Sequence, residues 1–323
     1  METNPVQIDR ISFVIPVYNE EKTIRPLFEK IVRVMLREEV ESYEVIFIDD
    51  GSADLSWNQM EDLVDLYPDH TKALRFRRNF GKSAALNAGF QEANGDIVIT
   101  MDADLQDDPE EIPRFCKMLH EGFDLVSGWK EKRHDPLSKT FPSKIFNKVT
   151  SMISGVRLND FNCGFKAYRK EVLEHIDLYG ELHRFIPVLV SGIGFKVGEI
   201  SVKHHPRMHG VSKYGARRYV KGFLDLLTVL CITRYVQRPG HLFGTIGIVS
   251  GVFGILSIGY LVVLWCLGFR PIGNRPLLLF GILAVIFSVQ VISFGLLAEI
   301  TIRNVNPRKV DSLIKEVLCK RKK

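Results

Sequence analysis

Asp102-Ala103-Asp104 sets two carboxylates two residues apart, directly after the apolar run Asp96 to Met101. Like charges that close raise one another's pKa unless a cation sits with them. Carboxylate oxygens are hard ligands, of the kind that Mg²⁺ or Mn²⁺ takes together with phosphate oxygens and water. Gln106 lies close enough in sequence to reach such an ion or its water. The chemistry that suits this donor set is that of a metal-bridged diphosphate.

Other motifs carry complementary chemistry. Asp49-Asp-Gly-Ser52 ends the apolar run Tyr43 to Ile48, and Gly51 permits a tight turn that leaves Asp49 and Asp50 free to accept from a base N–H or a ribose hydroxyl. By itself this is more often only a strand-to-helix turn with an N-cap; in company with Asp102 and Asp104 it is a strong signal. In Pro16-Val-Tyr-Asn-Glu20, Tyr18 can stack on a base and Glu20 can bond its edge, while Asn19 can cap a helix over Glu21 to Arg37. Arg78-Asn-Phe-Gly-Lys-Ser83 resembles a phosphate cradle but lacks the spacing GxxxxGK[ST], which argues against a nucleoside triphosphatase. Lys82 there faces a phosphate or solvent. Pro109, Glu110 and Glu111 are good helix-start chemistry in their own right. In the polar turn Asn159 to Gly164, Asp160 orients an acceptor, serves as a base, or caps a helix. The glycine-rich stretch His205 to Gly215 offers Arg207, Ser212 and Lys213, whose cations can close over a diphosphate; the alternative is a juxtamembrane linker drawn to anionic headgroups.

The elements that must position these residues follow from hydrophobic periodicity. Strands are expected over Ile11 to Pro16, Tyr43 to Ile48, Ala73 to Arg77 and Asp96 to Met101. Helices are expected over Ile24 to Leu36, Leu55 to Leu66 and Ala84 to Ala93, the first with Ile24, Leu27, Phe28, Ile31 and Met35 on one side. Such alternation implies βαβ units and a mainly parallel sheet, whose ligands bind beyond the carboxyl ends of the strands. The polar motifs sit at those ends.

The last third of the chain changes character. His241 to Phe269 and Pro276 to Ile302 are apolar runs, each longer than the roughly 20 residues that cross a bilayer as a helix. The short stretch Gly268 to Arg275 between them makes a hairpin. Arg217, Arg218, Lys221, Arg234 and Arg238 precede the pair and Arg303, Arg308 and Lys309 follow it, which places both flanks and the α/β domain on the cytoplasmic side. Val220, Phe223, Leu224, Leu227 and Cys231 form an apolar stripe, read as a helix lying in the membrane surface or packed on the domain. The expected divisions are therefore a catalytic domain over 1–213, a juxtamembrane helix over 214–238, two membrane helices within 239–303 (about 241–269 and 276–302), and a basic tail over 304–323.

Composition bounds the rest. The chain has 323 residues and a net charge of +5, with acidic residues gathered in its first half. An acidic strand-end surface suits no nucleic acid. Five scattered cysteines without CxxC spacing point to structural thiols facing a reducing compartment. Met1 to Arg10 has no apolar core, so no cleavable signal peptide is expected.

PVYNE, DDGS, DAD, the Asn159 to Gly164 turn and HGVSKYG stand here in the order found in family 2 glycosyltransferases of the GT-A fold. The chain resembles their polyprenyl-phosphate branch, the dolichyl-phosphate mannose synthases and above all the bacterial bactoprenol glucosyltransferases. That resemblance implies a GT-A sheet, an amphipathic interface helix and a two-helix membrane hairpin in the bacterial inner membrane, with both termini cytoplasmic. It implies that Pro16, Tyr18, Glu20, Asp49 and Asp50 bind the nucleoside. Asp102, Asp104 and Gln106 would hold Mg²⁺ or Mn²⁺, with Ala103 between them. Arg133, Arg207 and Lys213 would meet the diphosphate or the lipid phosphate. Gln106-Asp-Asp-Pro109 departs from the mannose synthase pattern of a histidine and two prolines. The QxxRW motif of processive synthases does not occur, so chain extension is not expected. The expected reaction is inverting transfer of a sugar, glucose from UDP-glucose first among candidates, onto undecaprenyl phosphate. GDP-mannose or an amino-sugar nucleotide as donor, and an inactive membrane scaffold, are the alternatives. A homo-oligomer is expected of a short membrane hairpin.

Overall fold

The computed structural model describes residues 10–40, 42–131, 147–152, 154–205, 239–269, 271 and 273–305. The chain divides into two compact units, Met1–Val229 and Leu230–Lys323.

The first unit is built on consecutive apolar residues with both faces covered. Strands β1 (Ile11–Val17) and β2 (Tyr43–Asp49) are buried almost throughout, as the strands of a parallel sheet between two helical layers must be. β3 (Thr71–Arg75), β4 (Ile97–Thr100), β5 (Leu125–Trp129), β6 (Lys166–Arg169) and β7 (Val197–Ser201) complete a seven-stranded sheet in the order β3-β2-β1-β4-β6-β5-β7. All neighbours are parallel except β6, which runs antiparallel to both β4 and β5. The alternation legible in the sequence accounts for β1 to β4; β5, β6 and β7 are added by the structure.

The helices explain the two covered faces. Helix α1 (Ile24–Arg37) buries Ile24, Leu27, Phe28, Ile31, Val34 and Met35, the stripe that the sequence spacing marks. Each such side chain contributes about 1.5–3 kcal/mol on burial. Phe13, Ile15 and Val17 of β1 share one cluster with α1, with Met60 and Leu63 of α2 (Ser56–Leu66), and with Ile112, Phe115 and Leu119 of α4 (Ile112–His120). Val14 points to the opposite face, where Gly89 of α3 (Lys82–Glu92) lies against it and against Ile48. A short helix α5 (Ile186–Ile193) precedes β7.

The chain runs from β1 outward to β3, then returns to the other side of β1 as β4. That reversal makes the carboxyl ends of β1 and β4 the crevice of the sheet. Pro16 marks where the crevice opens. Val14 O accepts from Met101 N toward β4, and Val17 O accepts from Asp50 N toward β2. Pro16, in step with Val14, turns its missing N–H toward β4, just past the last β1–β4 partners Val14 and Thr100. No ladder bond is forfeited, so a proline is tolerated in a central strand.

The second unit is a helical hairpin, α6 (Pro239–Cys266) and α7 (Pro276–Val305). Its helices Phe243–Cys266 and Pro276–Thr301 have mean hydropathies of 2.3 and 2.6, and only 22% and 11% of their most apolar stretches are buried. A core helix of a water-soluble domain would be mostly covered; these are long and apolar enough to cross a membrane. They pack at close range, with Gly254 against the Gly281 carbonyl and Ser250 Oγ donating to Ala284 O at 3.0 Å. Small residues at the contact are the usual device for such pairs in lipid. The expected interface helix over 214–238, the boundary near residue 213 and the tail beyond 305 lie outside the described residues; residues 304 and 305, expected to open that tail, still belong to α7.

Candidate active site

The loops after β1 and β2 are laced to one another. Asn19 N donates to Ser52 Oγ at 2.9 Å, Glu20 N to Ser56 Oγ at 2.8 Å, and Glu21 N to Asp54 Oδ2 at 3.2 Å. In return Ala53 N donates to Asn19 Oδ1 at 2.8 Å and Leu55 N to Glu21 Oε2 at 3.2 Å. Asn19 therefore does not cap α1, which starts at Ile24 after Thr23; it takes a left-handed φ of 53° and spends its side chain on the neighbouring loop. Asparagine tolerates that conformation well. The bracing leaves Tyr18 37% exposed at the mouth of the crevice, with Glu20 beside it accepting from Thr23 Oγ1 at 3.3 Å.

Asp49 and Asp50 are not the free acceptors that their motif leads one to expect. Asp49 is wholly buried, takes Ser52 N on Oδ1 at 2.8 Å and pairs through Oδ2 with Arg75 Nε at 3.2 Å. Asp50 accepts from Phe80 N at 2.7 Å and from Gly81 N at 3.0 Å. Burial raises its pKa, the two amides pull it back in part, and Asp49 adds to the rise. Gly51 explains why the loops can close so tightly. Its φ is +73°, and a Cβ there would lie 2.6 Å from the Arg78 carbonyl carbon. The DDGS turn thus pins the Arg78–Gly81 segment, which delivers Lys82 to the start of α3.

Lys82 does not point into bulk solvent. Its ammonium pairs with Asp102, the first carboxylate beyond β4. Burial works to raise the Asp102 pKa, but Lys82 first, then Lys130 and His183, outweigh it and hold this carboxyl below its usual range. Ala103 is buried and Asp104 is 7% exposed, its Oδ1 accepting from Gln106 N at 3.2 Å. Leu105 between them has a φ of 61°, uncommon for a branched residue and costing about 1–3 kcal/mol. This bend turns the chain so that Asp104 and Gln106 stand on the same tight loop. Among the described residues no group of three or more His, Cys, Asp or Glu could hold a metal ion.

The antiparallel β6 brings the Asn159–Gly164 turn to the same edge, because Lys166 at its start pairs with Thr100 at the end of β4. Thr100 Oγ1 donates to Gly164 O at 2.8 Å. A Cβ on residue 164 would lie 2.7 Å from Asp102 Oδ2 and 2.8 Å from its Oδ1, so only glycine lets the turn approach the carboxylate this closely. Asp160 is buried and accepts from Asn162 N at 3.1 Å; it shapes the turn, and no helix follows for it to cap.

Side chains that the motifs do not announce hold this edge together. Glu199 of β7 accepts from the backbone amides of Asn159 at 2.8 Å and Asp160 at 2.9 Å. Lys130, just beyond β5, pairs with buried Asp107 at 2.8 Å. Lys166, 3% exposed, donates to the Cys163 carbonyl, and burial lowers its pKa. The Cys163 thiol is pushed up to about 12 by burial, which makes it a structural thiol. Asp108 caps the turn Pro109–Glu111 and pairs with His205, while His205 N donates to Gln106 O at 2.9 Å. The chain leading out of β7 is thereby zipped to the Asp104–Asp108 loop. Arg133, Arg207, Ser212 and Lys213 lie outside the described residues. A cavity of about 220 Å³ near Asp96, Leu119 and Arg169 sits at the other end of β4, away from all of these motifs.

A mainly parallel sheet with one antiparallel strand and an acidic loop at its switch point is the GT-A architecture. Residues 12–177 match the family Glycosyl transferase family 2, and the chain belongs to that family. It is 39% identical over 304 residues to the dodecaprenyl-phosphate galacturonate synthase of Rhizobium johnstonii, covering 93% of this chain and 90% of that one. It is 36% identical over 294 residues to the undecaprenyl-phosphate 4-deoxy-4-formamido-L-arabinose transferase of Proteus mirabilis, covering 91% and 88%. Among solved structures, glucosyl-3-phosphoglycerate synthase from Mycobacterium tuberculosis aligns with a TM-score of 0.52 at 20% identity, over 70% of this chain and 80% of that one. The last likeness is one of fold.

Proposed function

We propose that this chain is a membrane-bound inverting glycosyltransferase that moves a sugar from a nucleotide diphosphate onto a polyprenyl phosphate. The observation that carries the reading is the Asp102–Asp104 loop, approached closely by Gly164 and faced by Lys82, at the β1–β4 crevice. Membership of the family and relatives whose names specify dodecaprenyl and undecaprenyl phosphate support the same reaction class.

The donor set fits a divalent ion. Asp102 is kept ionised, Asp104 and Gln106 offer further hard oxygens, and the remaining positions suit diphosphate oxygens and water. When bound, Mg²⁺ or Mn²⁺ would neutralise the departing nucleotide diphosphate. The protein's own groups do the rest. Tyr18 offers a ring for the base and Glu20 an acceptor for its edge, while Asp49 and Asp50 serve indirectly by holding the loops in register. Lys82, at the positive end of α3, meets the diphosphate. An oxygen of the prenyl phosphate attacks the anomeric carbon from the face opposite the nucleotide; the bond from that carbon to the diphosphate oxygen breaks, and the nucleoside diphosphate leaves with the electron pair. The attacking phosphate monoester is largely dianionic at neutral pH, so little general-base help is needed. Asp160, buried and engaged in its own turn, accordingly acts by positioning the loop beside Asp102. Arg207, Ser212 and Lys213 are proposed to close over the phosphates, with Arg133 in the same role.

The hairpin would anchor the enzyme in the bilayer that holds the acceptor's tail, in the bacterial inner membrane with the catalytic unit on the cytoplasmic face. UDP-glucose is the donor favoured by the family resemblance; galacturonate and 4-deoxy-4-formamido-L-arabinose, the sugars in the relatives' names, are its rivals. Purified full-length protein offered undecaprenyl phosphate and a panel of labelled sugar nucleotides should glycosylate the lipid from one of them. Failure with every donor would contradict the reading and favour an inactive membrane scaffold.

A further inference from the structure

We propose that Lys82 is a resident cation that holds the Asp102 carboxylate until a diphosphate arrives, so that divalent metal and nucleotide enter together and Lys82 then moves to the phosphates. The inference rests on the proposed metal role of Asp102 and Asp104. Its observations are the Lys82–Asp102 ion pair and the 34% exposure of the Asp102 side chain, which leaves the paired carboxylate open to an incoming ion. The ammonium and an incoming ion need the same oxygens. Lys82 stands at the first turn of a helix with its side chain 22% exposed, and its flexible four-carbon stem reorients by rotation about its own bonds.

The protein supplies few anionic ligands of its own. The loop presents Asp102 and Asp104, and no richer acidic cluster occurs among the described residues. With one of those carboxylates already neutralised, an ion without nucleotide meets a depleted site. The diphosphate reverses this by bringing oxygen ligands for the ion and a new partner for Lys82. One swap thus replaces a Lys–Asp pair by a metal–Asp contact and a Lys–phosphate pair, with no charge left exposed to the low dielectric of the crevice. Lys130 and Lys166 cannot make the same exchange, because Lys130 is committed to Asp107 and Lys166 to the Cys163 carbonyl.

The test is Mn²⁺ binding, followed by electron paramagnetic resonance, to full-length protein in lipid nanodiscs, with and without UDP. Lys82→Met should bind Mn²⁺ in the absence of nucleotide about ten-fold more tightly than the unaltered protein, since an opposing charge in contact shifts a carboxylate's affinity for a competing cation by a power of ten or more. The enhancement of Mn²⁺ affinity by UDP should shrink in the same variant. Lys82→Arg, which keeps the charge, should retain weak metal binding without nucleotide. Equal or weaker Mn²⁺ binding by Lys82→Met without UDP would overturn the exchange. Asp102→Asn separates this from the underlying reading: if it leaves Mn²⁺ binding in the presence of UDP intact, the metal role of Asp102 itself is wrong.

Discussion

The two units of this chain treat apolar side chains in opposite ways. In the catalytic unit Phe115 is fully buried and packs against Phe165, the rings tilted and their centroids 4.4 Å apart. In the hairpin Phe253 is 58% exposed and Ile255 64% exposed, among many neighbours equally open. The first unit excludes water from its core and pairs charges in the loops at its strand ends, Lys82 with Asp102 and Lys130 with Asp107. The second leaves its apolar surface outward and keeps small residues for the contact between helices. The difference teaches that two solvents shape one sequence. Water drives the burial in the sheet, and lipid removes that drive in the hairpin, leaving close packing to pair α6 with α7.

The same substitution in both units sharpens this contrast most. Phe115→Ala should cost about 3–5 kcal/mol in chemical denaturation of the catalytic unit, through lost burial and a cavity. Phe253→Ala should change the thermal stability of nanodisc-embedded protein by less than about 1 kcal/mol, because lipid tails replace the ring's surroundings. Equal losses would mean that the hairpin is a water-excluded core.

A charge probes the second solvent directly. Ile255→Arg should reduce membrane integration, at a cost of about 2.5–3.5 kcal/mol on insertion scales, read by carbonate extraction and glycosylation-tag topology. Leu66→Arg, at a 60% exposed position of the catalytic unit, should shift stability by no more than about 0.5 kcal/mol. Unaltered integration of Ile255→Arg would remove the membrane assignment of α6.

A pH-dependent effect belongs to the catalytic unit. Glu44 is buried, which works to raise its pKa, but Ser12, the Asn94 amide and Lys72 together lower it below the ordinary glutamate value. A carboxyl with a lowered folded pKa adds stability above its unfolded pKa and loses it as pH falls through the folded value. Glu44→Gln should therefore destabilise by about 1 kcal/mol at pH 7, with the gap closing in acid. A gap that widens on acidification would reverse the sign of this interaction.

Legibility in the sequence followed the same physics. β1, β2, β4 and α1 could be read because unbroken apolar runs and a clean helical stripe admit few other structures. The hairpin was legible from length and hydropathy alone. β6 was not, since Lys166 opens it and breaks the apolar pattern; a lysine inside Phe165 to Tyr168 was the one available signal. The acidic loop was found from its spacing. Its neighbours were hidden because Lys82 with Asp102, Lys130 with Asp107, and Glu199 with Asn159 are joined by topology rather than by sequence proximity. The partners of Asp49 and Asp50 are hidden in the sequence for the same reason: Arg75 ends the neighbouring strand β3, and the Phe80–Gly81 amides belong to the loop that folds back after it.

The most direct test of the central claim is sugar transfer to undecaprenyl phosphate by purified full-length protein, using whichever donor of the panel is active. Asp104→Ala, still inserted in the membrane, should lose about 10²–10³ in rate, the scale for removing one group that stabilises developing charge. Excess EDTA should abolish transfer, and added Mg²⁺ or Mn²⁺ should restore it. Undiminished turnover in excess EDTA, or by Asp104→Ala, would contradict the account.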